Sequence, residues 1–87
     1  MSITIFYRPE FIRMYRGLQA DLKEETRKAI ELFKNRKNHK QLKVHKLHGK
    51  MQDRYSFSVN YRYRIVFRFE GKNTLALLTV GDHDIYQ

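Results

Sequence analysis

Four histidines are the side chains of this 87-residue sequence best suited to acid–base chemistry. They stand at His39, His45, His48 and His83. An imidazole transfers protons well because it titrates near neutral pH. Their spacings match no compact metal-binding motif, and no carboxylate stands beside the first three, so we predict no metal site. The histidines are therefore candidates for proton transfer.

The end of the sequence concentrates groups that move or orient protons. His83 stands between Asp82 and Asp84, directly after an apolar stretch, and Tyr86 follows three residues later. A histidine oriented by a carboxylate is a typical general acid or base. A polar terminal turn without a function has the same composition, so both interpretations stay open.

Arginines alternate with aromatic residues between positions 54 and 69. Arg62 and Arg64 are candidates for holding a phosphate or stabilising the charge of its transition state, because guanidinium groups stay charged and bind phosphate bidentately. Arginine at every second position also keeps the outer face of an antiparallel sheet soluble. The pattern alone does not choose between these two roles.

Residues 32–52 contain no carboxylate, which favours contact with a polyanion over a solvated loop of mixed charge. Lysines there would set affinity and its salt dependence rather than sequence preference. The basic residues predicted to make such contacts are Lys34, Arg36, Lys37, Lys40, Lys43, Lys46 and Lys50, together with Arg54, Arg62 and Arg68 further on.

Composition sets the limits of the fold. With 41% apolar residues, the chain forms one modest core and a single domain over residues 1–87. A net charge of +9 is typical of proteins that meet nucleic acid, the ribosome or an acidic partner. The absence of cysteine excludes disulfides, thiol catalysis and thiolate-bound zinc. We find neither an apolar run of about 20 residues nor a signal peptide, and expect a cytoplasmic protein.

The first third of the sequence predicts one strand and two helices. Residues 2–7 have strand composition, Pro9 suits the first position of a helix, and Gly17 suits its end. A second helix is predicted to begin near Asp21 as its N-cap. The apolar stripes of the two helices consist of Phe11, Met14, Tyr15 and Leu18, and of Leu22, Thr26, Ala29, Ile30 and Phe33.

The second half of the sequence has the period-two pattern of β-strands from Tyr55 onward. Sixteen alternating residues would make a strand of about 53 Å. That length is too great for a small domain, so we predict a reversal at residues 59–62. A turn at 70–73 precedes residues 73–80, which are apolar on both faces as in a central strand. Residues 41–48 are a weaker strand candidate.

Together these elements predict an α+β domain in the order β-α-α-β-β-β-β. The helix pair should cover one face of a mostly antiparallel sheet of four or five strands, against the aromatic side chains. The other face would then be an open surface for phosphates that displays Arg54, Arg62, Arg64 and Arg68.

Three segments resemble the RelE/ParE superfamily of bacterial toxins from type II toxin–antitoxin modules, often labelled plasmid stabilisation proteins. They are HKLHG at 45–49, YRIVF at 63–67 and VGDHDIY at 80–86. The segments follow in the family's order, and the resemblance extends over nearly the whole sequence. It implies the family's small α+β fold. For RelE-like and YafQ-like members it also implies a cofactor-free endoribonuclease that inhibits translation by cutting mRNA in the ribosomal A site.

The chemistry implied by this resemblance is attack of a ribose 2′-OH on the adjacent phosphate. Carried over by motif, Arg64 would bind the phosphate, His83 would act as acid or base with His45 as its partner, and Tyr86 would orient or stack. The ten basic residues would contact RNA and the ribosome. The sequence departs from RelE where that family's catalytic lysines fall, since Tyr55 and Phe57 stand near those positions.

Two other functions stay open. A ParE-like toxin poisons DNA gyrase without doing chemistry, and a ribosome- or RNA-binding module would have lost catalysis. A convergent cluster of His83, Arg64 and His45 would favour RNA cleavage over gyrase poisoning.

Either toxin function implies an antitoxin partner. Its toxin-binding segment should be acidic, because it would cover a basic surface and the apolar grooves beside the helices. We expect the free chain to be monomeric or weakly dimeric and to have no membrane partner.

Overall fold

The computed structural model describes residues 3–82, and these form an α+β fold of two helices and a five-stranded sheet. The helices are α1 (Pro9–Arg16) and α2 (Ala20–Phe33). The strands are β1 (Thr4–Tyr7), β2 (His45–Lys46), β3 (Tyr55–Ser58), β4 (Arg64–Gly71) and β5 (Thr74–Gly81). Short 3-10 helices lie at Arg36–Asn38 and Gly49–Met51.

The strand order in the sheet is β1-β5-β4-β3-β2. β1 runs parallel to its neighbour β5, and the other three pairings are antiparallel. β5 is therefore a central strand, as its apolar composition predicts. The predicted fold class and element order are confirmed.

The helix boundaries agree with the prediction except at the start of α2. Pro9 occupies the first turn of α1, and Gly17 caps its end, where the Gly17 N–H donates to the Met14 carbonyl and the Leu18 N–H donates to the Tyr15 carbonyl. α2 begins at Ala20 after Gln19, so Asp21 is not its N-cap. The Asp21 carboxylate instead accepts a hydrogen bond from the adjacent Leu22 N–H at 2.9 Å. It lies in the first turn, where a negative charge favours the helix dipole.

The core lies between the two helices and the helix-facing side of the sheet. Phe33, at the end of α2, is fully buried and stacks on Phe57 with ring centroids 4.2 Å apart. Phe67 packs edge-to-face with the Phe33 ring, with centroids 5.0 Å apart. The His39 ring also stacks on Phe33, with centroids 4.5 Å apart. His39 is therefore a packing residue.

The reversal predicted in the alternating segment is present. A five-residue loop at 59–63, here called the β3–β4 loop, joins the two strands. The register pairs Phe57 with Ile65 and Tyr55 with Phe67, which keeps these side chains on the core side. Tyr61 is an exception to the predicted aromatic face, because it lies in the loop and is 92% exposed.

The outer face of the sheet, which is the face opposite the helices, is not the open surface that the sequence predicts. Ser56, Val66 and Ala76 alternate with core residues and so belong to this face, yet each is at most 1% exposed. The arginines on this face, Arg54, Arg64 and Arg68, therefore lie around a centre of buried small and apolar residues. Arg62 lies in the β3–β4 loop and not on a strand.

The weaker strand candidate at 41–48 is mostly not a strand. Only His45–Lys46 pairs with β3, and the preceding residues form turns. Lys43 has a positive φ of 59°, which no extended strand contains. No helix in the described part of the chain is long and apolar enough to cross a membrane.

Candidate functional site

The sheet register brings two of the predicted catalytic residues to the outer face. His45 on β2 lies opposite Ser56 on β3, and Ser56 lies opposite Val66 on β4. Arg64 stands two residues before Val66 on the same strand. Sheet geometry separates the Cα atoms of His45 and Arg64 by about 12 Å, because they are two strands and two residues apart. Two long side chains at this distance can contact one phosphodiester from opposite sides.

The backbone fixes the tautomer of His45. Its Nδ1 lies 2.8 Å from the carbonyl oxygen of Lys43. Since a carbonyl only accepts hydrogen bonds, Nδ1 carries the proton. In the neutral ring Nε2 then has the lone pair, and it lies 3.4 Å from the Ser56 hydroxyl on the outer face. The ring therefore presents a proton acceptor to this face.

Arg64 closes the β3–β4 loop through one end of its guanidinium. Nη1 donates to the carbonyl oxygens of Asn60 at 2.8 Å, Tyr63 at 3.2 Å and Tyr61 at 3.4 Å. Among residues 3–82, the Arg64 side chain makes hydrogen bonds only through Nη1. Nε and Nη2 have no acceptor in this part of the chain, so their N–H donors are candidates for binding an anion. Arg64 is thus both a loop anchor and a candidate phosphate ligand.

Two predicted catalytic residues, His83 and Tyr86, lie outside the described residues, and their roles stay predictions. Within residues 3–82, no three His, Asp or Glu side chains are placed to hold a metal ion. Tyr55 and Phe57 both contribute to the core, and the Phe57 side chain is fully buried. These positions therefore supply no group to the outer face.

Four of the ten basic residues have local partners. Lys34 pairs with Glu31 at 2.8 Å, Arg54 with Asp53 at 3.8 Å and Arg68 with Glu70 at 3.4 Å. The guanidinium of Arg36 donates at 3.0 Å to the Asn73 side chain and at 3.4 Å to the Lys72 carbonyl in the β4–β5 turn. Arg36 therefore fastens α2's C-terminal extension to that turn.

The other six basic residues form no ion pair with the part of the chain that the structure describes; they are Lys37, Lys40, Lys43, Lys46, Lys50 and Arg62. Lys46 follows His45 on β2, so strand alternation directs it away from the outer face. These cations keep their charge for an external partner, but they do not form one continuous face.

Two grooves flank α2. The first, here called the loop groove, has a volume of about 1210 Å³ and lies between α2, the 41–43 turn and the β3–β4 loop. Its lining includes Lys28, Lys43, Tyr61, Arg62 and Arg64. The second, here called the helix groove, has a volume of about 370 Å³ and is lined by residues that include Tyr7, Phe11, Ile12, Tyr15 and Ile30.

The sequence patterns do not predict the loop groove. Tyr61 lies within the alternating series that begins at Tyr55, and Lys28 lies within the second predicted helix. The predicted reversal at 59–62 could have indicated that Tyr61 is exposed, because a residue inside a reversal no longer follows the alternation of the strands.

Comparison with known proteins gives the family and the fold. The family model for the ParE-like toxin domain matches residues 20–87. No curated protein matches the sequence. Among solved structures, E. coli YafQ superimposes with a TM-score of 0.78 at 14% identity, over 97% of each chain. The YoeB/ParE toxin from Agrobacterium tumefaciens gives a TM-score of 0.67 at 19% identity, over 93% of this chain and 99% of that chain.

The toxin–antitoxin complex RelBE2 from Mycobacterium tuberculosis is a third similar structure. Its TM-score is 0.70 at 16% identity, and the match covers 95% of this chain and 100% of that chain. At these identities the similarity establishes a shared fold.

Proposed function

The chain belongs to the ParE-like toxin domain family, and from that premise we propose that it is the toxin of a toxin–antitoxin module that cleaves mRNA on the ribosome. The observation that carries this proposal is the arrangement of the outer face. His45 presents Nε2 there as a proton acceptor, and Arg64 has N–H donors left for a phosphate on the same face.

The proposed reaction is a transesterification within the RNA. The ribose 2′-oxygen forms a bond to the adjacent phosphorus while the bond from phosphorus to the 5′-oxygen of the next nucleotide breaks. Nε2 of His45 takes the 2′-OH proton, and His83 supplies a proton to the leaving 5′-oxygen. The products are a 2′,3′-cyclic phosphate and a 5′-OH, and no metal ion takes part.

Arg64 and Tyr86 have supporting roles in this proposal. The pentavalent transition state carries additional negative charge, which the Arg64 guanidinium stabilises without titrating. Tyr86 orients or stacks the substrate. The β3–β4 loop helps Arg64, because the three carbonyls that accept from Nη1 fix the guanidinium before substrate binds.

One observation favours the alternative of a gyrase poison without catalysis. The core side chains Tyr55 and Phe57 stand where RelE-like enzymes would have lysines, and the matched family model is that of the ParE-like toxin domain. A ribosome- or RNA-binding module that has lost catalysis is compatible with the same observation.

The antitoxin partner is part of the proposal. Solved relatives include the E. coli DinJ–YafQ toxin–antitoxin complex. On this chain the helix groove offers an apolar surface, next to exposed Phe6, Tyr7 and Ile12. The six unpaired cations attract an acidic segment that would cover both surfaces.

The test is primer extension on programmed ribosomes that carry a defined mRNA. We expect His45→Gln to slow codon-positioned cutting by about a hundredfold or more, since general acid–base groups contribute about 10²–10⁴. Arg64→Lys keeps the positive charge and a donor for the loop carbonyls but loses the bidentate fork, so it should also slow cutting sharply. His48→Gln is the matched control, because His48 is exposed in the same basic segment.

Cutting by His45→Gln at the rate of the unaltered protein would contradict the assignment of His45. No cutting by folded, unaltered protein would overturn the ribonuclease proposal, and inhibition of gyrase supercoiling by the same preparation would then establish the alternative. Circular dichroism melting of each variant separates lost chemistry from lost folding.

A further inference from the structure

We propose that the loop groove is a binding subsite for single-stranded RNA, in which Tyr61 stacks on a base next to the scissile phosphate. This inference rests on the proposed ribonuclease function and specifies where the substrate strand lies. Three observations support it: the exposure of Tyr61, the charge of the loop groove, and the hydrogen bond between His45 and Lys43, which lines the groove.

Tyr61 is 92% exposed although it belongs to an ordered loop. The Asn60 side-chain oxygen accepts hydrogen bonds from the Arg62 N–H at 2.8 Å and the Tyr63 N–H at 2.9 Å. The guanidinium of Arg64 donates further hydrogen bonds to the carbonyls of Asn60 and Tyr61. Packing does not explain an exposed aromatic ring on a fixed loop, whereas stacking on a nucleobase requires one.

The charge of the loop groove is complementary to a phosphate chain. Among the described residues, four cations line it, namely Lys28, Lys43, Arg62 and Arg64, against the single carboxylate of Glu25. Glu25 itself accepts a hydrogen bond from the Asn60 amide at 3.3 Å. The volume of about 1210 Å³ exceeds the range of about 300–1,000 Å³ that is typical of small-molecule pockets. An open cationic groove of this size fits a strand segment.

The loop groove lies on the helix side of the sheet, because α2 forms one of its walls, and it adjoins the candidate catalytic residues at two positions. Lys43 lines the groove, and its carbonyl oxygen accepts from Nδ1 of His45. Arg64 lines the groove and lies opposite Ser58 in the sheet. An RNA strand whose phosphate lies between His45 and Arg64 would pass the end of β3 to reach Tyr61 in the β3–β4 loop. The two shared residues favour RNA over an unrelated polyanion.

The absence of tryptophan from the sequence allows a direct test. Tyr61→Trp introduces a single indole, and its fluorescence should be quenched by a short 2′-O-methyl RNA that cannot be cleaved. Phe6→Trp places the indole on β1, at the opposite edge of the sheet, and is the control that should not be quenched. Equal quenching of Tyr61→Trp by polyglutamate would overturn base stacking.

Fluorescence anisotropy of the same RNA measures how much each side chain contributes to affinity. Tyr61→Ala should weaken binding at least about fivefold, and Tyr61→Phe should bind as the unaltered protein does. Arg62→Gln should reduce the slope of log K against log salt by about one. Lys72→Gln removes the same charge at the far end of β4 and should leave the slope unchanged.

Unchanged affinity in Tyr61→Ala would overturn the subsite. Because the RNA cannot be cleaved, this result is independent of whether the protein is a nuclease. Conversely, a protein that binds RNA through Tyr61 but never cuts on the ribosome would retain the subsite and lose the proposed reaction.

Discussion

The orientation of the His45 ring depends on the backbone of Lys43. The Lys43 carbonyl accepts from Nδ1, and Lys43 itself adopts a left-handed conformation with φ of 59°. This conformation costs a residue with a Cβ about 1–2 kcal/mol, and glycine adopts it readily. A strained lysine next to a candidate catalytic histidine indicates that the backbone there serves the site.

Two substitutions at Lys43 separate its backbone from its charge. Both Lys43→Ala and Lys43→Gly remove the ammonium, but only alanine keeps the steric cost of the positive φ. We therefore expect the glycine variant to have a free energy of unfolding about 1 kcal/mol higher than the alanine variant. Urea denaturation measures this difference, and an alanine variant of equal or greater stability would contradict the assigned conformation.

At the scale of residues, the roles assigned to His45 and Arg64 stay predictions, and the structure adds where these side chains lie. His45 and Arg64 were identified from motifs, and the register then placed them on one face. The positive φ of Lys43 and the exposure of Tyr61 were not predictable, because both depend on how the 39–44 turns and the β3–β4 loop pack against α2.

At the scale of elements, α2 combines a buried stripe with an exposed charged face. Thr26, Ala29, Ile30 and Phe33 are buried as predicted, whereas Leu22 is only half-buried. On the exposed face, Arg27 pairs with Glu24 and Lys34 pairs with Glu31, each three residues apart. Such pairs favour the helix modestly.

The pair of Glu31 and Lys34 predicts how stability depends on pH. The hydrogen bond and charge of Lys34 hold the pKa of Glu31 below its ordinary value of 4.5. Because the folded pKa is the lower one, the pair stabilises the fold above that ordinary value, and the stabilisation is lost as pH falls through the folded pKa. The pKa of Lys34 is raised by the same bond, so stabilisation is also lost in strongly alkaline solution.

Glu31→Gln tests this dependence. The variant should be slightly less stable than the unaltered protein at pH 7, and the difference should vanish in acid below the lowered pKa of Glu31, where both proteins lack the charge. Urea midpoints at the two pH values measure it. A difference that persists or grows in acid would show that Glu31 acts through packing and not through its charge.

Sequence periodicity predicted the strands of the sheet but not the structure of the basic segment at residues 34–50. Alternation and an odd loop length determine which side chains of β3 and β4 share a face, so Phe57, Ile65 and Phe67 were placed correctly. Residues 34–50 have no such periodicity. Their turns follow from contacts such as the Leu42 carbonyl accepting from the Ser58 N–H at 2.8 Å.

At the scale of the whole molecule, a protein with a small hydrophobic core carries a large net positive charge. The described chain extends over 32 × 28 × 24 Å, well beyond the Debye length of about 10 Å at 0.1 M salt, so exposed charges at opposite ends are screened from each other. The net charge of +9 therefore acts mainly through local clusters of exposed cations. In the proposed function it would attract RNA and an acidic antitoxin alike, so local geometry at His45, Arg64 and Tyr61 would have to supply the discrimination.

The most direct test of the central claim uses an mRNA with one 2′-deoxy nucleotide at the bond that the protein cuts on programmed ribosomes. The proposed reaction needs that 2′-OH as its nucleophile. We predict that cutting at the modified bond stops, that the unmodified mRNA yields a 2′,3′-cyclic phosphate, and that the deoxy mRNA still occupies the ribosome normally. Continued cutting at the deoxy position would contradict the proposed mechanism.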